Sequence, residues 1–461
     1  METEEKQGFV MKYIMPPMMK FLNTPAVTAI KNGMIYPIPF IIIGSVFLIL
    51  ANLPIKSVAD AINASGWGTL LSQVNNASFG IMALLAVFGI GYSYVRDAGF
   101  DGVPAGLTAI IVHILLQPDT IKQVVSIADP TKVSTAYEVT GVINRTWLGG
   151  QGMILSIIVG LLVGWIYTGF MRRNITIKMP EEVPENVSAS FTALVPAAAI
   201  ITMGGIVNAI FVKGFGTTFI EWVYKVIQTP LQHVTDGPVG VLVIAFLPVF
   251  IWWFGVHGAT IIGGIMGPLL QANAADNAYV YHYDQTHNIA FHLGQTVNGH
   301  TVHIVIQGFM DQFLTVTGSG LTIGLVVFLL VGAKSVQMKT LGRMEIGPAI
   351  FNINEPILFG LPIVLNPILA VPFFLAPLLS GLFTYLVILF HIIPPFSGVV
   401  IPWTTPAILS GLLVGGWQAM IWQIIVLVGT VFIYWPFARA YDRILLKQEA
   451  ENAEAIEAEE V

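Results

Sequence analysis

The sequence predicts an all-α, polytopic membrane protein. Only 10% of its 461 residues are charged and 55% are hydrophobic, whereas a soluble domain has about a quarter of its residues charged. The apolar runs are long and do not alternate with polar residues, so they favour membrane-spanning helices over the strands of a barrel. The 45 glycines and 27 prolines agree with this class, because membrane helices tolerate both residues better than soluble helices do.

Apolar runs alternate with polar segments in the first part of the chain. A helix needs roughly 20 apolar residues to cross a bilayer. Residues 118–150 form a polar excursion, and the charged residues 172–189 form a linker. We define residues 1–212 as the amino-terminal helical half. Its predicted spans are residues 28–53, 79–96, 103–117, 151–171 and 190–212.

The pattern becomes irregular after residue 213. Residues 215–230 mix charged and aromatic residues with apolar ones, as an interfacial helix does. The segment 259–270 is apolar but too short to span, and residues 271–303 form a polar insert. Four prolines in residues 393–410 indicate a re-entrant segment. Further spans are predicted at residues 239–256, 319–333, 361–392 and 411–436.

This irregularity predicts where a substrate binds. Irregular backbone at membrane depth is tolerated where protein buries it or where it lines a cavity. Broken helices in transporters point to the substrate site. We therefore assign substrate binding and transport to residues 213–440, and we interpret residues 441–461 as an acidic, solvated cytoplasmic tail.

The stretch from Phe351 to Pro367 is the strongest candidate for the site. It is apolar almost throughout but carries Glu355 near Asn352, Asn354 and Asn366. Three prolines break it, so no long uninterrupted helix is expected. A carboxylate in such a segment is costly to bury without a partner or a ligand, which indicates a polar substrate site. The alternative is a glutamate at a helix end near the membrane surface, held by local amides.

A second candidate is His257, which follows two tryptophans and precedes Gly258. Its imidazole can hydrogen-bond a sugar hydroxyl or accept a proton from it. The alternative is a histidine that is hydrogen-bonded inside a helix break. Trp252 and Trp403 can offer apolar faces to a sugar, although single tryptophans are often interfacial belt residues.

Other residue patterns predict no cofactor. The histidines of the insert do not have zinc-site spacing, so we expect a solvated loop and no metal. Gly149, Gly150 and Gly152 are not followed by the Lys-Ser/Thr of a P-loop, so no nucleotide site is expected. The chain has no cysteine, which excludes disulfides and a phosphocysteine on it. The histidines concerned are His282, His287, His292, His300 and His303.

The placement of basic residues predicts an orientation. Lys and Arg are enriched in loops on the cytoplasmic side of a membrane. Basic residues before the first span, those at Arg172–Lys178 and those after the last span fall on one side if the spans alternate. Both termini are therefore expected in the cytoplasm, with residues 118–150 as an exception that carries basic residues outside.

Three of these stretches together resemble a known family. They are NINEPILFGLPIVLNP (352–367), WWFGVHG (252–258) and IPWTTP (401–406). In combination they are similar to the membrane permease, enzyme IIC, of the bacterial phosphotransferase system. The similarity is greatest to its lactose/cellobiose/N,N'-diacetylchitobiose branch, and it extends over residues 1–440.

The resemblance implies an architecture and an activity. It implies a homodimer in the bacterial cell membrane, with about ten transmembrane helices and two re-entrant hairpins. The first five helices would form most of the dimer contact. The substrate would be a disaccharide of the cellobiose or diacetylchitobiose type. A phosphorylated enzyme IIB, expected as a separate polypeptide, would transfer its phosphoryl group to that sugar, and no nucleic acid partner is expected.

The resemblance also implies roles for individual residues. Glu355 and His257 would act in both sugar binding and phosphoryl transfer. The full set of expected sugar-binding residues is Trp252, His257, Gly258, Asn354, Glu355 and Trp403.

Two alternatives of other classes accompany this prediction. An ion-coupled secondary sugar transporter would use Glu355 and His257 as a proton relay. It would accumulate unmodified sugar. A membrane receptor or assembly protein without transport would keep its function after Glu355→Ala.

Overall fold

The computed structural model describes residues 23–51, 61–62, 64–125, 135–180, 185–254, 258–287, 289–361, 363 and 366–459, together with residues 17 and 20. The described residues are predominantly α-helical, as predicted. Within the described residues, five helices are long and apolar enough to cross a membrane, or six if one bent pair counts as a span. The structure is therefore an all-α membrane protein with two short β-hairpins added to it.

The predicted spans of the first part correspond to helices. The first predicted span is broken into two helices by a turn before Pro37, a residue whose amide cannot donate a hydrogen bond. The second begins earlier than predicted, because helical structure runs from Trp67 to Asp97 with a tighter turn at Phe79–Ile81. The helices are α1 (Pro25–Gly33), α2 (Ile38–Ala51), α3 (Trp67–Ser78), α4 (Met82–Asp97), α5 (Val103–Leu115), α6 (Met153–Arg172) and α7 (Glu185–Ile210).

The polar excursion after α5 contains regular structure. Strands β1 (Thr120–Val125) and β2 (Thr135–Thr140) pair antiparallel, with Thr120 opposite Thr140. The β-branched residues in both strands suit this conformation.

The second part of the chain combines several short elements with three helices of 23 residues or more. The helices are α8 (Phe219–Val223), α9 (Thr229–Thr235), α10 (Pro238–Trp253), α11 (Gly258–His287), α12 (Gln307–Phe309), α13 (Ile323–Val331), α14 (Val336–Ile350), α15 (Glu355–Gly360), α16 (Pro367–Leu389) and α17 (Leu409–Glu459), which is broken by a kink at Gly415 and Gly416. The strands are β3 (Thr296–Val297) and β4 (His300–Thr301), which pair antiparallel.

One predicted boundary in this part is wrong. We expected a short apolar piece at 259–270 and a separate polar insert at 271–303, but the 30-residue helix α11 runs through the first and continues into the second as far as His287. Neither Pro268 nor the polar residues after it end the helix. Asn273 and Asn277 instead donate hydrogen bonds to backbone carbonyls of other segments. Tertiary hydrogen bonds therefore override the local signals on which the prediction rested.

The chain packs as two compact units. The first comprises Met1–Ile41 and Asn76–Pro230, and the second comprises Ile42–Asn75 and Leu231–Val461. In the first unit α4 packs against α1, α5 and α6. Gly160 and Gly164 of α6 lie against Ile90 and Tyr94 of α4 so closely that a side chain at either glycine would overlap them. Small residues at this spacing let two membrane helices approach each other closely.

The second unit has a hydrophobic core built from α10, α13, α16 and α17. Buried members include Trp252, Leu325, Phe373 and Tyr434. The hydroxyl of Tyr434 donates to the carbonyl of Gly320 at 2.7 Å, so its polar atom is satisfied inside the core. The candidate site lies in this unit.

Candidate functional site

The segment that carries Glu355 is broken as the prolines predict. Helix α14 ends at Ile350, and Asn352 has a positive φ of 63°. The short helix α15 begins at Glu355 and ends at Gly360. The next helix begins after Asn366, whose side-chain oxygen accepts from the amides of Ile368 and Leu369. The side chain of Glu355 lies outside what the structure describes.

Asn354 ties this segment to a neighbouring turn. Its side-chain Nδ2 donates to the carbonyl of Ser319 at 2.8 Å and to Oγ1 of Thr322 at 2.9 Å. A side chain at Gly318 would overlap the Asn354 amide, so this contact requires glycine there. These contacts therefore hold Asn354, the residue that precedes Glu355, in place.

The sequence does not predict the turn that Asn354 contacts. This turn comprises residues 315–322, TVTGSGLT, and the predicted span 319–333 begins inside it. In the structure Thr317, Gly318, Gly320 and Leu321 all have positive φ, so this is a tight, irregular turn. Two glycines between threonines were the available signal for a turn.

The second predicted motif lies at the junction of α10 and α11. Trp253 is the last residue of α10, and its Nε1 donates to the carbonyl of Asn366 at 3.4 Å. Gly258 begins α11 against the carbonyl of Pro248, which leaves no room for a side chain. Residues 255–257, including His257, lie outside the described residues.

The two candidate tryptophans have different environments. Trp252 is 3% exposed and belongs to the same buried cluster as Ile357 and Leu361. Trp403 is 54% exposed, in a non-helical segment between Pro402 and Pro406. Trp403 therefore has an aromatic face available in this conformation, whereas Trp252 packs behind the segment that contains Glu355.

The structure brings the three motifs together in the second unit. Trp253 bonds to Asn366, and Asn352 donates to the carbonyls of Trp403 and Thr405 at 2.6 and 2.8 Å. Hydrogen bonds thus join the motif at 352–367 directly to one motif about 100 residues before it and to another about 50 residues after it. Loops held by a rigid scaffold are the usual place for binding residues.

A buried ionic network lies outside the predicted site. Asp276 of α11 contacts His300 Nδ1 through Oδ1 at 2.7 Å and His303 Nε2 through Oδ2 at 3.5 Å. The other ring nitrogen of His303 lies 3.2 Å from Oδ2 of Asp236. Oδ1 of Asp236 accepts from the backbone amides of Ile304 and Val305. The network connects the turn before α10, helix α11 and the chain after β4.

Charge pairing outweighs burial in this network. Burial alone would lower the pKa of His303, but Asp236 and Asp276 raise it to about 9. Burial alone would raise the pKa of Asp276, but His300 and His303 bring it below its usual value. His303 is therefore a cation held between two carboxylates at neutral pH.

The predicted solvated loop is wrong for most of the five histidines. His300 and His303 are buried and His282 is half-buried within α11, whereas His287 at the end of α11 and His292 are exposed and contact nearby backbone carbonyls. Partners distant in sequence could not be identified from the spacing of the histidines alone. Among the described residues, no group of His, Asp and Glu is arranged to hold a metal ion.

The chain is similar to a known family over most of its length. The family described as "Phosphotransferase system, EIIC" matches residues 31–377. Similar proteins include the oligo-beta-mannoside-specific EIIC component of Bacillus subtilis (strain 168), 33% identical over 96% of each chain. The cellobiose-specific EIIC component of Geobacillus stearothermophilus is 32% identical over 96% of this chain and 94% of its own.

A solved structure has the same fold. It is the crystal structure of the transporter ChbC, the IIC component from the N,N'-diacetylchitobiose-specific phosphotransferase system. The TM-score is 0.87 at 32% sequence identity, and the match covers 96% of this chain and 99% of that one.

Proposed function

This chain belongs to the EIIC family of the phosphotransferase system, and we propose that it carries a β-linked disaccharide of the cellobiose or diacetylchitobiose type. It is a multi-pass sugar permease of the lactose/cellobiose/chitobiose branch. The observation that carries the site assignment is the convergence of three motifs in the second unit. The printed specificities of the cellobiose and diacetylchitobiose relatives support the sugar class.

Glu355 is the proposed anchor for the sugar hydroxyls. Asn354 holds the start of α15 in place, which sets the position of the Glu355 backbone. A carboxylate accepts hydroxyl hydrogen bonds that are roughly twice as strong as neutral ones. Asn354 itself is a proposed sugar contact as well as a support, but its Nδ2 already donates to two groups here, so this contact requires a rearrangement.

Trp403 and Trp252 are the proposed apolar platforms. The exposed ring of Trp403 can stack on the C–H face of a sugar ring, as aromatic residues do in carbohydrate sites. Trp252 is proposed because it belongs to the same motif as His257. It packs in the core here, so contact with sugar requires a rearrangement. Gly258 is the proposed backbone contact at the start of α11.

His257 is the proposed residue next to the reacting hydroxyl. In the transfer, that hydroxyl oxygen attacks phosphorus, the bond from phosphorus to the donor group of EIIB breaks, and the hydroxyl proton leaves. His257 accepts this proton. Positioning and charge stabilisation dominate phosphoryl transfer, so the histidine contributes only part of the rate enhancement.

The phosphoryl donor is proposed to be a phosphocysteine of a separate EIIB polypeptide. None of the 461 residues is a cysteine, so this chain offers no such group itself. We further propose a homodimer with both termini in the cytoplasm, about ten transmembrane helices and two re-entrant hairpins. In this arrangement residues 1–212 form the dimer scaffold, residues 213–440 carry the sugar and residues 441–461 form a cytoplasmic tail.

Equilibrium sugar binding tests the proposal. Cellobiose, diacetylchitobiose and lactose are titrated into the purified protein by calorimetry, with Glu355→Gln in parallel. One disaccharide should bind, and Glu355→Gln should raise its Kd about 10- to 100-fold, because a hydrogen bond to a charged group is worth about 1.5–3 kcal/mol.

The matched control is Glu138→Gln, a change at an exposed residue of β2 in the other unit. It should leave the Kd unchanged. An unaltered Kd in Glu355→Gln removes Glu355 from the site, and no binding of any of the three sugars removes the proposed substrate class.

A further inference from the structure

Asn352 uses its whole side-chain amide to join three segments of the second unit. Its side chain is 4% exposed. Oδ1 accepts from the amide of Thr317 at 2.7 Å, and Nδ2 donates to the carbonyls of Trp403 and Thr405 at 2.6 and 2.8 Å. An asparagine amide has two donor hydrogens, so these two carbonyls use both.

The backbone of Asn352 suits this function. Its φ of 63° lies in the left-handed region, where asparagine is enriched among residues that carry a side chain. This conformation follows the end of α14, and α15 begins three residues later. The side chain of Asn352 therefore projects from the irregular backbone between α14 and α15.

The loop that Asn352 binds has few hydrogen bonds of its own. We call residues 401–406, IPWTTP, the Trp403 loop. Its two prolines have no amide hydrogen to donate. Within the loop, the amide of Thr405 donates to the carbonyl of Pro402 at 2.9 Å, which closes a turn around Trp403. Asn352 binds two carbonyls of this same turn from a different segment.

The turn that donates a hydrogen bond to Oδ1 of Asn352 is itself held by several hydrogen bonds. The backbone of Thr317 belongs to the turn 315–322, which Asn354 also holds. Oγ1 of Thr317 accepts from the amide of Ile323, and Thr322 Oγ1 donates to the carbonyl of Thr317. The Trp403 loop is thus linked through one amide to a turn that is hydrogen-bonded on several sides.

We propose that Asn352 is a positioning residue that fixes the Trp403 loop, and thereby the exposed indole of Trp403, beside the segment of Glu355. The inference rests on the proposed function for its link to sugar binding. Its structural part, the order of the loop, is independent of any ligand. Asn352 itself need not touch the sugar, because all its donors are used by the backbone.

A spin label reports the order of the loop directly. The chain has no cysteine, so Thr404→Cys creates a single attachment point next to Trp403. The electron paramagnetic resonance spectrum should show a restrained label in the parent protein. Asn352→Gly should shift it to a mobile spectrum, because glycine tolerates the positive φ and lacks the side chain that makes the three hydrogen bonds. Calorimetry on the unlabelled Asn352→Gly protein should show a Kd for the disaccharide raised about tenfold.

Asn277 provides a matched control. Its Oδ1 accepts from the amide of His303 at 2.7 Å, and its Nδ2 donates to the carbonyls of His303 and Phe396 at 2.8 Å each. Asn277→Asp and Asn352→Asp therefore cause the same change, a carboxylate oxygen facing two carbonyls. Only Asn352→Asp should both mobilise the label and weaken sugar binding.

Two results would overturn the inference. One is a restrained label in Asn352→Gly, and the other is an equal effect of Asn277→Asp and Asn352→Asp on label and Kd. If the parent protein binds none of the disaccharides, the proposed function fails. The spectrum of Asn352→Gly then still decides whether Asn352 positions the loop.

Discussion

At the scale of single residues, the asparagines of the central stretch have unequal tasks. Asn352 and Asn354 hold neighbouring turns, and Asn366 accepts from the first amides of α16. Each amide satisfies backbone groups that the prolines and irregular turns leave without helix partners. The polar residues around Glu355 thus support the backbone of the site, in addition to any contact with sugar.

His257 is the residue for which binding and chemistry should separate. We expect His257→Gln to reduce the rate of sugar phosphorylation by roughly 10- to 100-fold, because it removes the proton acceptor but keeps a polar side chain. The Kd of the sugar should change less than about threefold. The rate is measured with purified phosphorylated EIIB, and the Kd by calorimetry.

The control for this change is His287→Gln, because His287 is exposed and its contacts with described residues are to its own helix turn. It should leave both quantities unchanged. Equal loss of rate and affinity in His257→Gln would make His257 a binding residue without a role in proton transfer.

His303 should make the stability of the protein depend on alkaline pH. Its pKa is raised from 6.5 to about 9, so its ion pairs stabilise the fold fully below pH 6.5 and are lost as the pH rises through 9. The contribution is on the order of 3 kcal/mol. Thermal unfolding between pH 6 and 10 should show a fall in Tm for the wild type that is much smaller in His303→Gln.

The carboxyl group of Asp276 does not contribute to the change in stability between pH 6 and 10. Its pKa lies below its usual value, so it loses charge only in acid. His287→Gln is again the control and should show the wild-type slope. Identical slopes in the wild type and His303→Gln would contradict the pairing of His303 with Asp236 and Asp276.

At the scale of elements, two carboxylates of α17 accept hydrogen bonds from the amides at the start of α14. Asp442 accepts from the amides of Lys334 and Ser335 at 2.9–3.2 Å, and Glu449 accepts from those of Val336 and Gln337. The two acids are seven residues apart, so they lie on one face of α17. Carboxylates at a helix N-terminus satisfy free amides and favour the helix dipole.

This contact predicts a graded loss of stability. Asp442 is buried and Glu449 is more exposed. Asp442→Asn should therefore destabilise the protein by about 1–2 kcal/mol, and Glu449→Gln by less. Hydrogen exchange at residues 334–340 should increase in the same order, since these amides lie just before α14 and in its first turns.

Glu451→Gln is the matched control for this pair. Glu451 is an exposed acid of the same helix that pairs with Lys447 one turn earlier, and exposed pairs of this kind contribute little. Its exchange pattern should match the wild type. If Asp442→Asn leaves exchange at residues 334–340 unchanged, the carboxylate does not cap α14.

The same elements show what sequence alone could predict. The amino-terminal spans followed from apolar length, and the break at Glu355 followed from its prolines. The continuous α11, the turn 315–322 and the pairing of His303 did not, because each depends on hydrogen bonds to residues far away in the chain. Local patterns reveal where helices form and break, but they contain no information on which distant polar groups meet.

At the scale of the whole molecule, the first unit has an apolar face without a protein neighbour within that unit's described residues. Three residues on one side of α7 are about half exposed, namely Met203, Ile206 and Ile210. Such a face requires cover by lipid or by another chain. The proposed dimer, in which the amino-terminal half forms the scaffold, would cover part of it with a second copy.

Cross-linking distinguishes the two kinds of cover. The absence of cysteine allows Ile206→Cys to be the single reactive thiol. If α7 lies at a twofold axis, residues near the axis face their own copies, and a short bismaleimide should convert the protein to covalent dimers. Phe432→Cys on α17 of the second unit is the control, because it is more exposed, at 75%, but lies outside the proposed scaffold. Dimers with Ile206→Cys alone support the scaffold, whereas equal yields from both sites, or a single-chain mass by light scattering in mild detergent, would assign the face of α7 to lipid.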